Sequence, residues 1–214
     1  WVTSAKTFPV TDPATGAEVA RVPDLGARDA TRAIDAAARA LAAWSAKTAK
    51  ERAAILKHWF DLVTAETESL AQLMTTEQGK PLAESRAEVA YGAAFIEWFA
   101  EESKRAYGRT IPTTVGSKRY LTIKQPIGVV AAIAPWNFPI AMITRKVAPA
   151  LASGCTVVVK PAEETPLCAL AIAKLGQDAG LPAGVLNIVT TADAPAIGNV
   201  FCEDGRVRKL SFTG

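Results

Sequence analysis

Three short strings, two of them directly beyond apolar runs, carry the residue types best suited to chemistry. Asn137 lies in Pro135-Trp136-Asn137-Phe138-Pro139, immediately after the run 128–134. A side-chain amide held between aromatic rings and prolines can donate to an oxygen on which negative charge develops. It can equally cap the backbone of its own loop, and spacing alone does not separate the two roles. Lys160 and Glu163 lie in Lys160-Pro161-Ala162-Glu163, after the run 155–159. A carboxylate at such a strand end accepts hydrogen bonds from the hydroxyls of an adenosine ribose and repels a 2′-phosphate. A lysine beside it donates to the same ribose, although both residues are also ordinary solvated loop charges. Glu164 is a second candidate for the acidic role. Arg145 and Lys146 close the string Met142-Ile143-Thr144-Arg145-Lys146. An arginine there can fork onto a carboxylate with paired hydrogen bonds, which a lysine does less well. A surface charge on a helix is the plain alternative.

The cysteines Cys155, Cys168 and Cys202 lack metal-ligand spacing, and Cys155 heads an apolar run where cysteine behaves as a small apolar residue. The single histidine, His58, reads as a surface or packing residue. No metal site is expected.

The elements that must position these strings alternate. Continuous apolar runs at 128–134 and 155–159 predict parallel strands covered on both faces, with 185–189 a third such strand and 207–212 a fourth strand, and helices near 139–153 and 166–179 between them. Strand, helix, strand in this order implies right-handed crossovers and a doubly wound α/β sheet, which binds ligands at the carboxyl ends of its strands. The first half reads as helical. Ala30, Ile34, Ala37, Leu41 and Trp44 share one face, and Thr48 with Glu51 forms a capping box ahead of Ile55, Trp59 and Leu62. A third helix stops at Gly79, with Pro81 beyond it; a fourth carries Leu82, Val89, Ile96 and Phe99 and is closed by Gly108. From 111 to 125, β-favouring residues around Gly116-Ser117 predict a hairpin arm. The expected division is a helical part at 1–110, an arm at 111–126 and a Rossmann-like core at 127–214.

Totals narrow the function classes. The 214 residues carry 24 basic and 21 acidic side chains, a net charge of +3, and half are hydrophobic. That balance does not suit a nucleic-acid binder. No apolar run approaches bilayer length, and residues 1–13 show no signal peptide. Three scattered cysteines suit a reducing compartment. A start at Trp1 and an end at Gly214 inside an apparent structural unit suggest part of a longer polypeptide.

The strings Pro135-Trp136-Asn137-Phe138-Pro139, Lys160-Pro161-Ala162-Glu163, Gly180-Leu181-Pro182-Ala183-Gly184-Val185-Leu186-Asn187 and Phe212-Thr213-Gly214 fall in order on four successive strands. Together they resemble the aldehyde dehydrogenase superfamily over essentially the whole chain. The resemblance implies a fold of N-terminal helices, a Rossmann-like sheet and an arm, with the catalytic domain missing. It implies NAD, with NADP possible, held by Ile133, Ala134, Pro135, Trp136, Asn137, Lys160, Pro161, Ala162, Glu163, Gly198, Thr213 and Gly214. It assigns Asn137 to the oxyanion and Lys146 to a proton relay, a structural role for Lys146 being the alternative. The usual GxGxxG fingerprint is absent, as in that superfamily, and Thr190-Thr191-Ala192 stands where relatives carry a loop glycine that Gly198 partly replaces.

Met142-Ile143-Thr144-Arg145-Lys146, Glu77-Gln78-Gly79-Lys80-Pro81, Glu97-Trp98-Phe99 and Tyr107-Gly108-Arg109-Thr110-Ile111-Pro112 are further similar to succinate semialdehyde dehydrogenases. There Arg145 would bind the carboxylate of the small-molecule aldehyde, and a cysteine and a glutamate beyond Gly214 would do the covalent chemistry. A cytoplasmic dimer or tetramer, touching neither nucleic acid nor membrane, is implied, and the 214 residues alone are expected to be inactive. A dehydrogenase for another aldehyde, such as glutarate semialdehyde, and a short non-catalytic nucleotide-binding module are the alternatives.

Overall fold

The computed structural model describes all residues, 1–214. Its centre is a four-stranded parallel sheet whose two middle strands are mostly β-branched and small residues. With strands numbered along the whole chain, the four are β5 (Val129–Ile133), β6 (Thr156–Lys160), β7 (Leu186–Ile188) and β8 (Val207–Phe212), in spatial order β7-β6-β5-β8. Every β6 residue is buried, as continuous apolar runs demand when both faces are covered. Along β5 the side chains alternate between two layers. Val130 and Ala132 face the helices α2 (Ala49–Ala65), α3 (Thr67–Gln78), α4 (Leu82–Glu102), α5 (Ala141–Ala152) and α6 (Pro166–Asp178). Val129 and Ala131 face α1 (Ala27–Ser45) and α7 (Ala194–Glu203). The chain is therefore an α/β protein of three layers, and the N-terminal helices share the sheet's core.

Local rules account for the helix limits. Thr48 Oγ1 accepts from Glu51 N at 3.2 Å while the Glu51 carboxylate accepts from Thr48 N at 2.7 Å, closing the expected capping box on α2. Gly79 ends α3 in the left-handed region at φ 88°, which favours glycine. The indoles of Trp44 and Trp59 are fully buried with their N–H groups satisfied, each donating at 3.1 Å to a carbonyl, of Leu151 and Ile172 respectively. Burial of each large ring contributes a few kcal/mol, which fixes α1 and α2 against α5 and α6.

Three expectations need correction. Gly108 does not close the fourth helix: α4 ends at Glu102, followed by a 3-10 turn at Ser103–Arg105. Gly108 instead packs against the Thr122 carbonyl, where no side chain fits, at the base of an antiparallel hairpin of β3 (Arg109–Ile111) and β4 (Tyr120–Thr122). The first half is not helical throughout, since β1 (Thr7–Thr11) and β2 (Glu18–Pro23) form an antiparallel pair. Gly198 is not a loop residue. It sits within α7 with open space around it.

Candidate functional site

The loops leaving the carboxyl ends of β5 and β6 lie side by side. Ala134 N donates to Lys160 O, and Thr213 N donates to Ile133 O, both at 3.2 Å. The ends of β5, β6 and β8 thus meet, bringing Ile133, Ala134, Lys160 and Thr213 together as the strings suggested.

Asn137 is exposed between exposed Trp136 and Phe138. Its backbone carbonyl accepts from Lys80 Nζ at 2.8 Å, whereas its side-chain amide makes no hydrogen bond within the chain. A loop-capping role is therefore not the one it plays; the amide is left free. At the β6 end, Lys160 is buried and its ammonium donates to the Glu163 carboxylate at 2.7 Å. Pro161 and Ala162 are buried between them. Burial opposes a charge on Glu163, but the hydrogen bond and charge of Lys160 together with a backbone hydrogen bond outweigh it and hold this carboxyl below its usual range. Glu163 thus presents a charged acceptor at neutral pH.

On α5, Arg145 is exposed and lies over the Phe95 ring, 5.4 Å from its centroid, with no carboxylate paired to it. Lys146, one residue on, turns inward. Its ammonium donates to Thr213 Oγ1 at 2.6 Å and to Met142 O at 3.3 Å, and burial followed by the Arg145 charge lowers its pKa. Both line a cavity of about 770 Å³ together with Lys47, Arg52, Lys124 and Lys209, and no carboxylate lines it. Such a surface attracts anions. A second cavity of about 740 Å³, between α1, α6 and β7, contains none of the expected site residues. The segment Thr190-Thr191-Ala192 is tied down, with Thr190 Oγ1 donating to Pro23 O at 2.6 Å and Ala192 N donating to Asp24 at 2.9 Å.

The sequence reading passed over the groups that fix the loops. Glu88 on α4 is buried, pairs with Lys80, and accepts from Ile140 N at 3.0 Å and Ala141 N at 3.3 Å. Glu77 on α3 does the same for α6, accepting from Leu167 N at 2.8 Å and Cys168 N at 2.7 Å. Neither α5 nor α6 has a side-chain cap of its own, so each takes its first-turn acceptor from a neighbouring helix of the same layer. Burial pushes the Glu77 carboxyl up to about 7, against hydrogen bonds from Cys168 and Leu167. One signal was readable: Glu88 falls in the apolar stripe of α4, with Ser85, Val89, Gly92 and Ile96, where a carboxylate needs a partner.

By the chemistry of their donors and acceptors these residues fit a dinucleotide and an anion. The family model described as "Aldehyde dehydrogenase family" matches residues 1–214. The chain is 60% identical over 205 residues to succinate-semialdehyde dehydrogenase [NADP(+)] of Escherichia coli (strain K12), covering 96% of this chain and 42% of that protein. It is 58% identical to glutarate-semialdehyde dehydrogenase of Pseudomonas putida, covering 99% and 44%. The solved aldehyde dehydrogenase of Brucella melitensis biovar abortus superposes with a TM-score of 0.98 at 57% identity, over 100% of this chain and 44% of that one. The chain therefore spans less than half the length of the relatives it matches. Within those limits, the matched strings, the sheet order and the loop geometry agree that this chain belongs to the aldehyde dehydrogenase family.

Proposed function

We propose that the protein to which this chain belongs oxidises succinate semialdehyde to succinate with NAD. What most supports this reading is the free Asn137 amide, exposed on a loop whose backbone is fixed from below. Asn137 Nδ2 donates to the aldehyde oxygen as charge gathers on it. The unpaired Arg145 guanidinium grips the distant carboxylate. Lys146 donates to Thr213 Oγ1 at 2.6 Å, and its pKa, lowered by burial, suits it to a proton relay. Lys160 and Glu163 take the two ribose hydroxyls, and the Glu163 charge disfavours a 2′-phosphate. The bound cofactor supplies the hydride acceptor.

The attacking thiol and the base belong, by the family resemblance, to residues beyond Gly214. Cys155 and Cys168 are buried, and burial raises the Cys168 thiol pKa well above its ordinary value. Residues 1–214 alone are accordingly inactive, and turnover by protein of that length would refute this. The exposed hairpin β3–β4 pairs with a second subunit in a dimer or tetramer, and a reducing cytoplasm suits three free cysteines.

The deciding experiment compares wild-type and Arg145→Ala whole enzyme on succinate semialdehyde and on butanal. Loss of a paired hydrogen bond to a charge removes about 1.5–3 kcal/mol, so kcat/KM for the semialdehyde falls roughly 10- to 150-fold while butanal is little affected. Equal losses on both substrates would overturn the choice of a carboxylate-bearing aldehyde.

A further inference from the structure

We infer that Lys80 and Glu88 are positioning residues: they fix the backbone of the loop from which Asn137 reaches the aldehyde oxygen. The inference rests on the reading of Asn137 as the oxyanion donor.

Three backbone points of one loop converge on this pair. The Lys80 ammonium donates to Asn137 O at 2.8 Å, forms an ion pair with Glu88, and stands 4.4 Å from the centroid of the Phe138 ring. An ammonium has three N–H bonds, and here each faces a partner. The Glu88 carboxylate uses its other oxygen for Ile140 N and Ala141 N, the start of α5. The loop is thus held at Asn137 and on its C-terminal side by two side chains that pair with each other.

The anchors themselves are fixed. Glu88 lies inside α4, and Lys80 lies in the short connection between α3 and α4. Gly79 in the left-handed conformation, Pro81 and a 2.9 Å bond from Lys80 N to the Gln78 side chain restrict that connection. The side chains of Lys80 and Glu88 are 9% and 1% exposed. A buried ion pair adds little stability compared with an apolar pair, because desolvation offsets its Coulomb energy. Its output here is geometric. A displacement of about 1 Å in a reacting group can cost roughly a hundredfold in rate.

The test uses the whole enzyme and the first-turnover burst of reduced cofactor, which reports chemistry at the aldehyde. Lys80→Met is expected to slow the burst by about 10- to 100-fold with cofactor affinity near wild type, and to lower the melting temperature because Glu88 is left buried without its counter-charge. Asn137→Ala slows it by about 100- to 1000-fold. Because Lys80 acts through Asn137, the double variant is no slower than Asn137→Ala alone. Lys80→Arg restores part of the rate. Glu88→Gln, which keeps an acceptor for α5 but loses the ion pair, follows the Lys80→Met pattern and carries the test if Lys80→Met folds poorly. A normal burst in both Lys80→Met and Glu88→Gln, or losses that multiply in the double variant, overturns the positioning role and leaves the oxyanion reading standing. A normal burst in Asn137→Ala instead removes the oxyanion reading, and the positioning role with it.

Discussion

Asn137 and Glu163 reach outward from neighbouring loops, and their bonding within the chain sets what their removal does. The Asn137 amide bonds to nothing in the chain, so Asn137→Ala lowers kcat without loosening the fold; an unchanged melting temperature beside the lost rate is the expected pair of readings. Glu163 is bonded to Lys160, and its charge opposes a 2′-phosphate. Glu163→Gln is expected to raise the ratio of NADP to NAD kcat/KM by roughly tenfold or more, about 1.4 kcal/mol, read from steady-state rates with each cofactor. An unchanged ratio would remove Glu163 as the selector. Asn137, Lys160, Glu163 and Arg145 were legible because each sits in a local string. Glu88 showed only its place in the buried stripe of α4; its partners and those of Glu77 stand 52 and 90 residues away, and local spacing cannot report such contacts.

Among the elements, α4 and α5 meet where Gly92 leaves room. A Cβ there would lie 2.7 Å from Ile140 Cγ2, at the first turn of α5. Gly92→Ala gains up to about 1 kcal/mol of helix propensity, but overpacking costs about 1–3 kcal/mol. The net expectation is a lower unfolding midpoint and a displaced loop. Glu77 makes stability depend on pH. Its carboxyl titrates near its ordinary 4.5 when unfolded and at about 7 when folded. Below the first value both states are protonated and nothing is lost; between the two the unfolded carboxyl ionises freely while the folded one stays protonated, and above the second both are charged. Stability falls across that window by up to ~3 kcal/mol. Denaturant midpoints at pH 5 and pH 8 should favour wild type over Glu77→Gln more strongly at the lower pH, and a constant difference would contradict the shifted carboxyl. The helices with apolar stripes were legible from spacing. The β1–β2 hairpin was not, because Pro9 interrupts β1 and only Val10 and Val22 are buried, leaving little alternation to read. In α7, Pro195 and Gly198 obscure the helical pattern.

At the scale of the molecule, the centre of the parallel sheet followed from the continuous apolar runs of β5 and β6, whereas β8 at the edge is mostly exposed, and no helix is long and apolar enough to cross a membrane. The arm leaves Leu121 and Ile123 more than 70% exposed. If those side chains are covered by another subunit, Leu121→Glu in the whole enzyme should shift its mass by light scattering towards a smaller assembly. An unchanged mass would place the subunit contact elsewhere.

The remote acceptors Glu77 and Glu88 also bear on how this scaffold could be retargeted. Since α5 and α6 draw their first-turn acceptors from α3 and α4, the outward side chains of Trp136, Asn137, Glu163 and Glu164 are relieved of holding the helices in place. They can be exchanged for another aldehyde or another nucleotide while the main chain beneath them keeps its course.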